Sequence, residues 1–199
     1  MVDRPSLGVL ALQGAVAEHV QALRDLGLQA REVKTAEALQ GLDGLILPGG
    51  ESTTIGKLLD RYGILEPLRA RVASGLALWG TCAGMILMAR EVERALPGQP
   101  LLGLMDLRVE RNAFGRQRES FEALLPVPVL GEEPFPAVFI RAPRATAVGP
   151  GVQVLARVGE SPVAARQGRL LVTAFHPELG ADRRFHRYFA DLAAGPASG

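Results

Sequence analysis

The chain has one cysteine, Cys82, set in Gly80-Thr81-Cys82-Ala83-Gly84 between the apolar runs Leu76-Ala77-Leu78-Trp79 and Met85-Ile86-Leu87-Met88. A short strand feeding a G-x-C-x-G turn and then a helix is an elbow, in which small neighbours tolerate a strained backbone and leave the thiol exposed at the helix start. Unpaired N–H groups and the positive helix end favour the thiolate there, and can hold an oxyanion formed beside it. A thiol nucleophile also needs a base. Of the three histidines, His19 and His186 fall inside helical patterns and read as ordinary surface or half-buried residues, whereas His176 ends an apolar strand and is followed by Pro177-Glu178. Pro177 biases His176 towards an extended backbone, so His176 and Glu178 project to similar sides and the carboxylate can fix the imidazole tautomer. Cys82, His176 and Glu178 thus fill the three roles of an acyl-transfer triad. Since 94 residues separate thiol and imidazole, only the fold can join them.

The elements that must do so are legible in outline. Leu7 to Leu12 reads as a buried strand, and Val16, Val20, Leu23 and Leu26 then recur at helical spacing until Gly27. Leu45-Ile46-Leu47 repeats the phrase, breaking at Pro48-Gly49-Gly50 before a helix from Thr53 to about Tyr62 that Ser52 or Thr53 could cap. Leu76 to Met88 repeats it again. Three strand-turn-helix units predict an α/β fold of three layers, a mostly parallel sheet with helices on both faces and ligands at the carboxyl ends of the strands. The second half differs. Met105, Leu107 and Val109 alternate with charged residues, Val152 to Val158 does likewise, and Val163 to Arg166 and Arg169 to Phe175 flank a hairpin turn at Gln167-Gly168. An antiparallel extension is expected there, followed by a helix carrying Phe185, Phe189 and Leu192.

Composition narrows the function classes. A length of 199 residues with 48% hydrophobic content suits one domain, taken as 1–194 with a frayed tail at 195–199. A net charge of +1 gives no basic footprint for nucleic acid or an anionic membrane. One cysteine excludes an internal disulfide and fits a reducing compartment. The early apolar stretch is too short for a secretory signal and is interrupted by Gln13-Gly14, while the uncharged run Val72 to Ala89 holds too many turn-forming residues for a membrane span, so a cytoplasmic location is expected. No phosphate-binding glycine fingerprint and no metal-ligand cluster is present, so neither a cofactor nor a metal is expected.

With these residues in view, Gly80-Thr81-Cys82-Ala83-Gly84 and Phe175-His176-Pro177-Glu178 resemble the class I, triad glutamine amidotransferases. Further segments resemble one branch, the glutaminase subunits of pyridoxal 5'-phosphate synthase: Leu12-Gln13-Gly14-Ala15, Leu47-Pro48-Gly49-Gly50-Glu51-Ser52-Thr53-Thr54, Val109-Glu110-Arg111-Asn112-Ala113-Phe114-Gly115-Arg116-Gln117, Ser120-Phe121-Glu122 and Phe139-Ile140-Arg141-Ala142-Pro143. The similarity spans essentially the whole chain. It implies a flavodoxin-like fold and hydrolysis of L-glutamine, with Cys82 as nucleophile, His176 as base and then acid, and Glu178 as its orienting partner. Gly50, Glu51, Ser52, Arg111, Ile140 and Arg141 match the family's glutamine contacts. Backbone donors at Gly49, Gly50 and Ala83 suit an oxyanion hole, and an arginine fork suits the substrate carboxylate.

The resemblance also implies a partner, a barrel-shaped synthase subunit that takes up the ammonia, with pyridoxal 5'-phosphate as the product of the assembly. Gln13, Gly14, Glu18 and His19 are placed on the docking surface, with Glu18, His19 and Gln21 on the outer face of their helix. The loop Arg111 to Arg118, interrupted by Phe114 and Gly115, reads as a site or interface loop. Two other readings stand beside this one: a cysteine hydrolase or peptidase on a related α/β scaffold, and a non-catalytic binding subunit that keeps the fold. The Pro-Gly-Gly-Glu-Ser-Thr turn and Arg111 speak against the first, and the complete set of triad residue types against the second.

Overall fold

A computed structural model describes residues 4–113 and 120–195. Residues 114–118 of the expected Arg111 to Arg118 loop and residues 196–199 of the expected tail lie outside the described residues. The chain begins with β1 (Leu7–Leu10), α1 (Val16–Asp25), β2 (Ala30–Val33), β3 (Gly44–Leu47), α2 (Ser52–Arg61), α3 (Leu65–Ala73), β4 (Ala77–Thr81) and α4 (Ala83–Met88). It continues with β5 (Ala89–Glu93), β6 (Met105–Glu110), β7 (Ser120–Leu125), β8 (Phe135–Ile140), β9 (Arg144–Val148), β10 (Gln153–Val158), β11 (Ser161–Gln167), β12 (Leu170–Thr173) and α5 (Arg184–Ala194).

Runs without polar alternation form strands covered on both faces. β1, β3 and β4 are accordingly buried at every position. They sit in the middle of a seven-stranded sheet ordered β10-β11-β12-β4-β3-β1-β2. The five strands from β12 to β2 run parallel, and β10 and β11 extend the edge antiparallel. α1 packs with α5 and α2 with α4, so helices flank the sheet. β6 buries Met105, Leu107 and Val109, as its alternation predicts, but in a separate three-stranded sheet with β5 and β9; β7 and β8 form a hairpin of their own. The β11–β12 turn is one residue later than expected, because Gln167 still pairs with Leu170, leaving Gly168-Arg169 to reverse the chain.

A contiguous apolar core runs from Leu7 to Ala193 and joins both halves. Its aromatic part bears on the site. Phe175, one residue before His176, packs edge-on against Phe139 and Phe185 at ring centroid distances of 5.5 and 5.3 Å. The run Val72 to Ala89 divides among the end of α3, β4, the Cys82 turn and α4, and no helix of the described residues is long and apolar enough to cross a membrane.

Candidate active site

Parallel pairing brings the chemistry together. β12 lies beside β4 with Thr173 opposite Thr81, so both strands end at the same rim. One residue on, the Cys82 N–H donates to the Thr173 carbonyl at 2.8 Å. The elbow is strained as its motif predicts: Cys82 has φ 47° and ψ −99°, a region that non-glycine residues occupy only when the surroundings enforce it. Small neighbours make it possible, since a Cβ on Gly80 would meet the Gly84 carbonyl carbon at 2.4 Å. α4 itself is six residues long, too short to develop the full helix dipole.

His176 is held from two sides. Its backbone N–H donates to the Val138 carbonyl of β8 at 2.8 Å, and its Nδ1 lies 2.8 Å from Glu178 Oε1. Pro177 to Leu179 form a turn, with the Leu179 N–H reaching back to the His176 carbonyl, so the imidazole and carboxylate meet across a bend. The Glu178 side chain is fully buried and the His176 ring 11% exposed. Burial opposes the imidazolium, but hydrogen bonds to Cys82 and Glu178 and their negative charges outweigh it, raising His176 to about 10. The imidazole is thereby held as its cation, with Glu178 accepting from Nδ1–H and the other ring nitrogen left for the sulfur.

The expected contacts line one cleft of about 420 Å³ around Cys82 and His176: Gly50, Glu51, Ser52, Ala83, Arg111, Ile140 and Arg141 all border it. That is a volume suited to a small ligand. Cys82 Sγ lies 3.9 Å from the Ile140 carbonyl. Three of the four described non-glycine residues with positive φ, Cys82, Asn112 (49°) and Arg141 (43°), line this cleft. Gly49, just past the carboxyl end of β3, abuts the catalytic pair, its carbonyl accepting from the Ala15 N–H at 3.0 Å. Gly14, at φ 105°, presses so closely on that peptide that a Cβ would fall 1.9 Å from the Gly49 oxygen. A second cleft of about 450 Å³ lies among Arg4, Leu7, Gly27 and Arg31 at the opposite, amino ends of β1 and β2, away from any of this chemistry.

Residues 9–194 match the SNO glutamine amidotransferase family. The chain belongs to that family. It is 56% identical over 195 residues to the pyridoxal 5'-phosphate synthase subunit PdxT of Frankia alni, covering 98% of each chain, and 60% identical over 185 residues to that of Pelotomaculum thermopropionicum, covering 93% of each. A solved structure described as a glutamine amidotransferase superposes with a TM-score of 0.89 at 56% identity, covering 94% of this chain and 98% of that one.

Within this family member two site expectations are corrected. His19 is on the inner face of α1 and fully buried, so it cannot touch a docking partner; Glu18 and Gln21 remain exposed. His19 lies three residues after Val16 and four before Leu23, in the centre of the apolar stripe, a position that its polar side chain disguises. His186 is likewise fully buried, in line with Phe189 and Ala193. The cap of α2 is Glu51, whose carboxylate accepts from the Thr53 and Thr54 N–H groups at 3.1 and 2.8 Å; Ser52 and Thr53 are already inside the helix. Burial would raise the Glu51 carboxyl, but hydrogen bonds from the Thr54 hydroxyl and from the Thr54 and Thr53 N–H groups lower it from its ordinary value. Glu51 also pairs with Arg111 at 3.5 Å, a long, half-exposed contact of little energy.

The site also draws in residues to which the sequence gives another role or none. Gln13, expected at an interface, lines the cleft and accepts the Glu51 N–H at 2.9 Å. Gln99 bridges Ser52 and Arg111 at 3.3 and 3.4 Å. Asn112 could have been flagged by its place beside Arg111; Gln99 carries no sequence signal, because it sits in an irregular segment far from every motif. Among the described residues no cluster of His, Cys, Asp and Glu is gathered that could hold a metal ion.

Proposed function

We propose that this chain hydrolyses L-glutamine to glutamate and ammonia and passes the ammonia to a barrel-type synthase subunit that makes pyridoxal 5'-phosphate. The observation that carries this reading is the joining of Cys82, His176 and Glu178 at the rim of one cleft. Cys82 Sγ, its proton passed to His176, bonds to the side-chain amide carbon, and the electron pair moves to the carbonyl oxygen. Collapse breaks the carbon–nitrogen bond while His176 gives its proton to the leaving ammonia. Water, deprotonated by His176, then cleaves the thioester to glutamate. Backbone N–H groups at Gly49, Gly50 and Ala83 face the oxyanion, and the Arg111 and Arg141 forks with Gly50, Glu51, Ser52 and Ile140 orient the amino acid.

This chemistry calls on no cofactor of the chain itself, and residues 1–194 act as one domain around their shared core. The partner docks on the exposed surface formed by Gln13, Gly14 and Glu18. That surface is tied to the site, because Ala15 holds the Gly49 carbonyl and Gln13 holds the Glu51 N–H, so docking can re-aim the Gly49-Gly50 donors. The assembly works in the cytoplasm. The test is mass spectrometry after reaction with a diazo-ketone glutamine analogue, with and without the synthase subunit. Labelling of Cys82, faster in the complex and abolished in Cys82→Ala, is expected; a labelled protein that releases no glutamate from glutamine under either condition would overturn the reading.

A further inference from the structure

Glu178 has two oxygens, and only Oε1 is used by His176. Oε2 is buried and accepts no hydrogen bond from the described residues; His19 Nε2 lies 3.5 Å from it. His19 comes from α1, and its Nδ1 meets His186 Nε2 of α5 at 2.9 Å. Both imidazoles are fully buried, with Trp79 set edge-on to each at ring centroid distances of 5.6 and 4.9 Å. The core therefore contains a line of polar groups, His186, His19, Glu178 and His176, running to Cys82, and the first two have no part in the reaction just described.

We propose that His19 is a positioning residue for the Cys82–His176 pair, donating Nε2–H towards Glu178 Oε2 in a tautomer set by His186. The alternatives are few. With His19 neutral, one ring nitrogen donates and the other accepts. If Nδ1 carried the proton, the Nε2 lone pair would face a buried carboxylate oxygen, and that oxygen would have no donor, an arrangement that burial makes costly. If Nε2 carries it, the N–H lies between Glu178 Oε2 and Thr81 Oγ1, which is 3.2 Å away. His19 Nδ1 then accepts from His186 Nε2–H.

The surroundings keep both rings neutral. Around His19 stand His186 on α5, His176 and Glu178 in the turn after β12, and Arg183 before α5; burial first, then His186, His176 and Arg183, hold it well below its ordinary value. Burial and Arg183 lower His186 to about 3 against the opposing charge of Asp25. A neutral donor fixes Glu178 without neutralising it, so the full carboxylate charge stays available to the His176 imidazolium.

This inference rests on the glutaminase reading for its kinetic arm, and a second arm is independent of it. In the full-length chain, His19→Leu removes both ring nitrogens, and His19→Gln restores an N–H near the Nε2 position. Turnover of glutamine and the pH profile of Cys82 alkylation by chloroacetamide are measured for each. His19→Leu is expected to lower kcat by about 10- to 100-fold with KM within about twofold, and to move the alkaline limb of the alkylation profile to lower pH, while His19→Gln recovers most of both. A folded His19→Leu protein with unchanged kcat and profile overturns the proposal, as does a Gln variant no better than Leu. Should His19→Leu not fold, His186→Phe, which removes the donor to Nδ1, must shift kcat and the alkylation profile in the same direction, and no shift overturns it. An alkylation profile that responds to His19 in a protein without glutamine turnover supports the positioning role while refuting the glutaminase reading. Turnover with profiles indifferent to His19 does the reverse.

Discussion

Substitution of Gly49 by alanine tests how tightly the base is held. A Cβ at Gly49 would stand 2.6 Å from His176 Cε1 and 3.1 Å from its Nδ1. To reach an ordinary contact of 3.4 Å the ring must yield by about 0.8 Å. It has no slack for this, because Nδ1 is bound to the buried Glu178 and the backbone N–H to Val138. Misplacing a catalytic group by about 1 Å costs on the order of 100-fold in rate, which is ~2.8 kcal/mol of transition-state stabilisation. Gly49→Ala is therefore expected to lower kcat for glutamine by ~100-fold. Gly180→Ala is the control: four residues beyond His176, its nearest new neighbours would lie 3.9 and 4.0 Å away, and activity should stay within about twofold. Steady-state glutamate release, with thermal melting to separate lost stability from lost rate, provides the assay. A folded Gly49→Ala protein at full rate, or a Gly180→Ala protein equally impaired, would show that the reasoning about His176 placement is wrong.

Stability should fall on acidification through a route that does not involve the surface. His19 and His186 are held below their ordinary value when folded and return to it on unfolding, so the unfolded chain binds the extra protons. Their stabilisation is complete above about pH 6.5 and is lost as pH falls towards about 3 for His186, by up to ~1.4 kcal/mol per pH unit for each ring. Denaturant titrations between pH 7 and 4 should show this slope, and His186→Phe should flatten it; an unchanged slope in the variant would place the effect elsewhere. At the other end of the cleft, Glu51→Ala removes the acceptor for the Thr53 and Thr54 N–H groups. It should cost ~1 kcal/mol, a fall of about 2–4 °C in Tm for a chain of this size, whereas Ser52→Ala leaves the cap intact. Thermal melts of the two variants decide which residue is the cap.

Much of the site was legible because its parts are local. The elbow around Cys82 needs only small residues between a strand and a helix, and the histidine–carboxylate contact needs only two positions across Pro177. The cleft contacts from Glu51, Arg111 and Arg141 were carried by a resemblance, since nothing in their spacing points to one cavity. The misreadings have physical causes. Polarity outweighed periodicity at His19 and His186, although both fall within apolar stripes, and a buried imidazole is stable there because the other helix supplies its partner. Cap preference favours the shorter hydroxyl residues over Glu51, but the first helical turn already contains Ser52 and Thr53.

By itself the sequence determined the strand-turn-helix units, the reversal to antiparallel strands in the second half, and the chemical types of nucleophile, base and orienting carboxylate, because each is set by preferences within a few residues. Tertiary structure alone decided that β12 inserts beside β4 rather than at the sheet edge, which places Thr173 against Thr81 and His176 against Cys82. It also brought His19 and His186 together behind Glu178 from opposite ends of the chain. Strand order and helix packing follow from burying the whole apolar surface at once, and no local pattern carries that information.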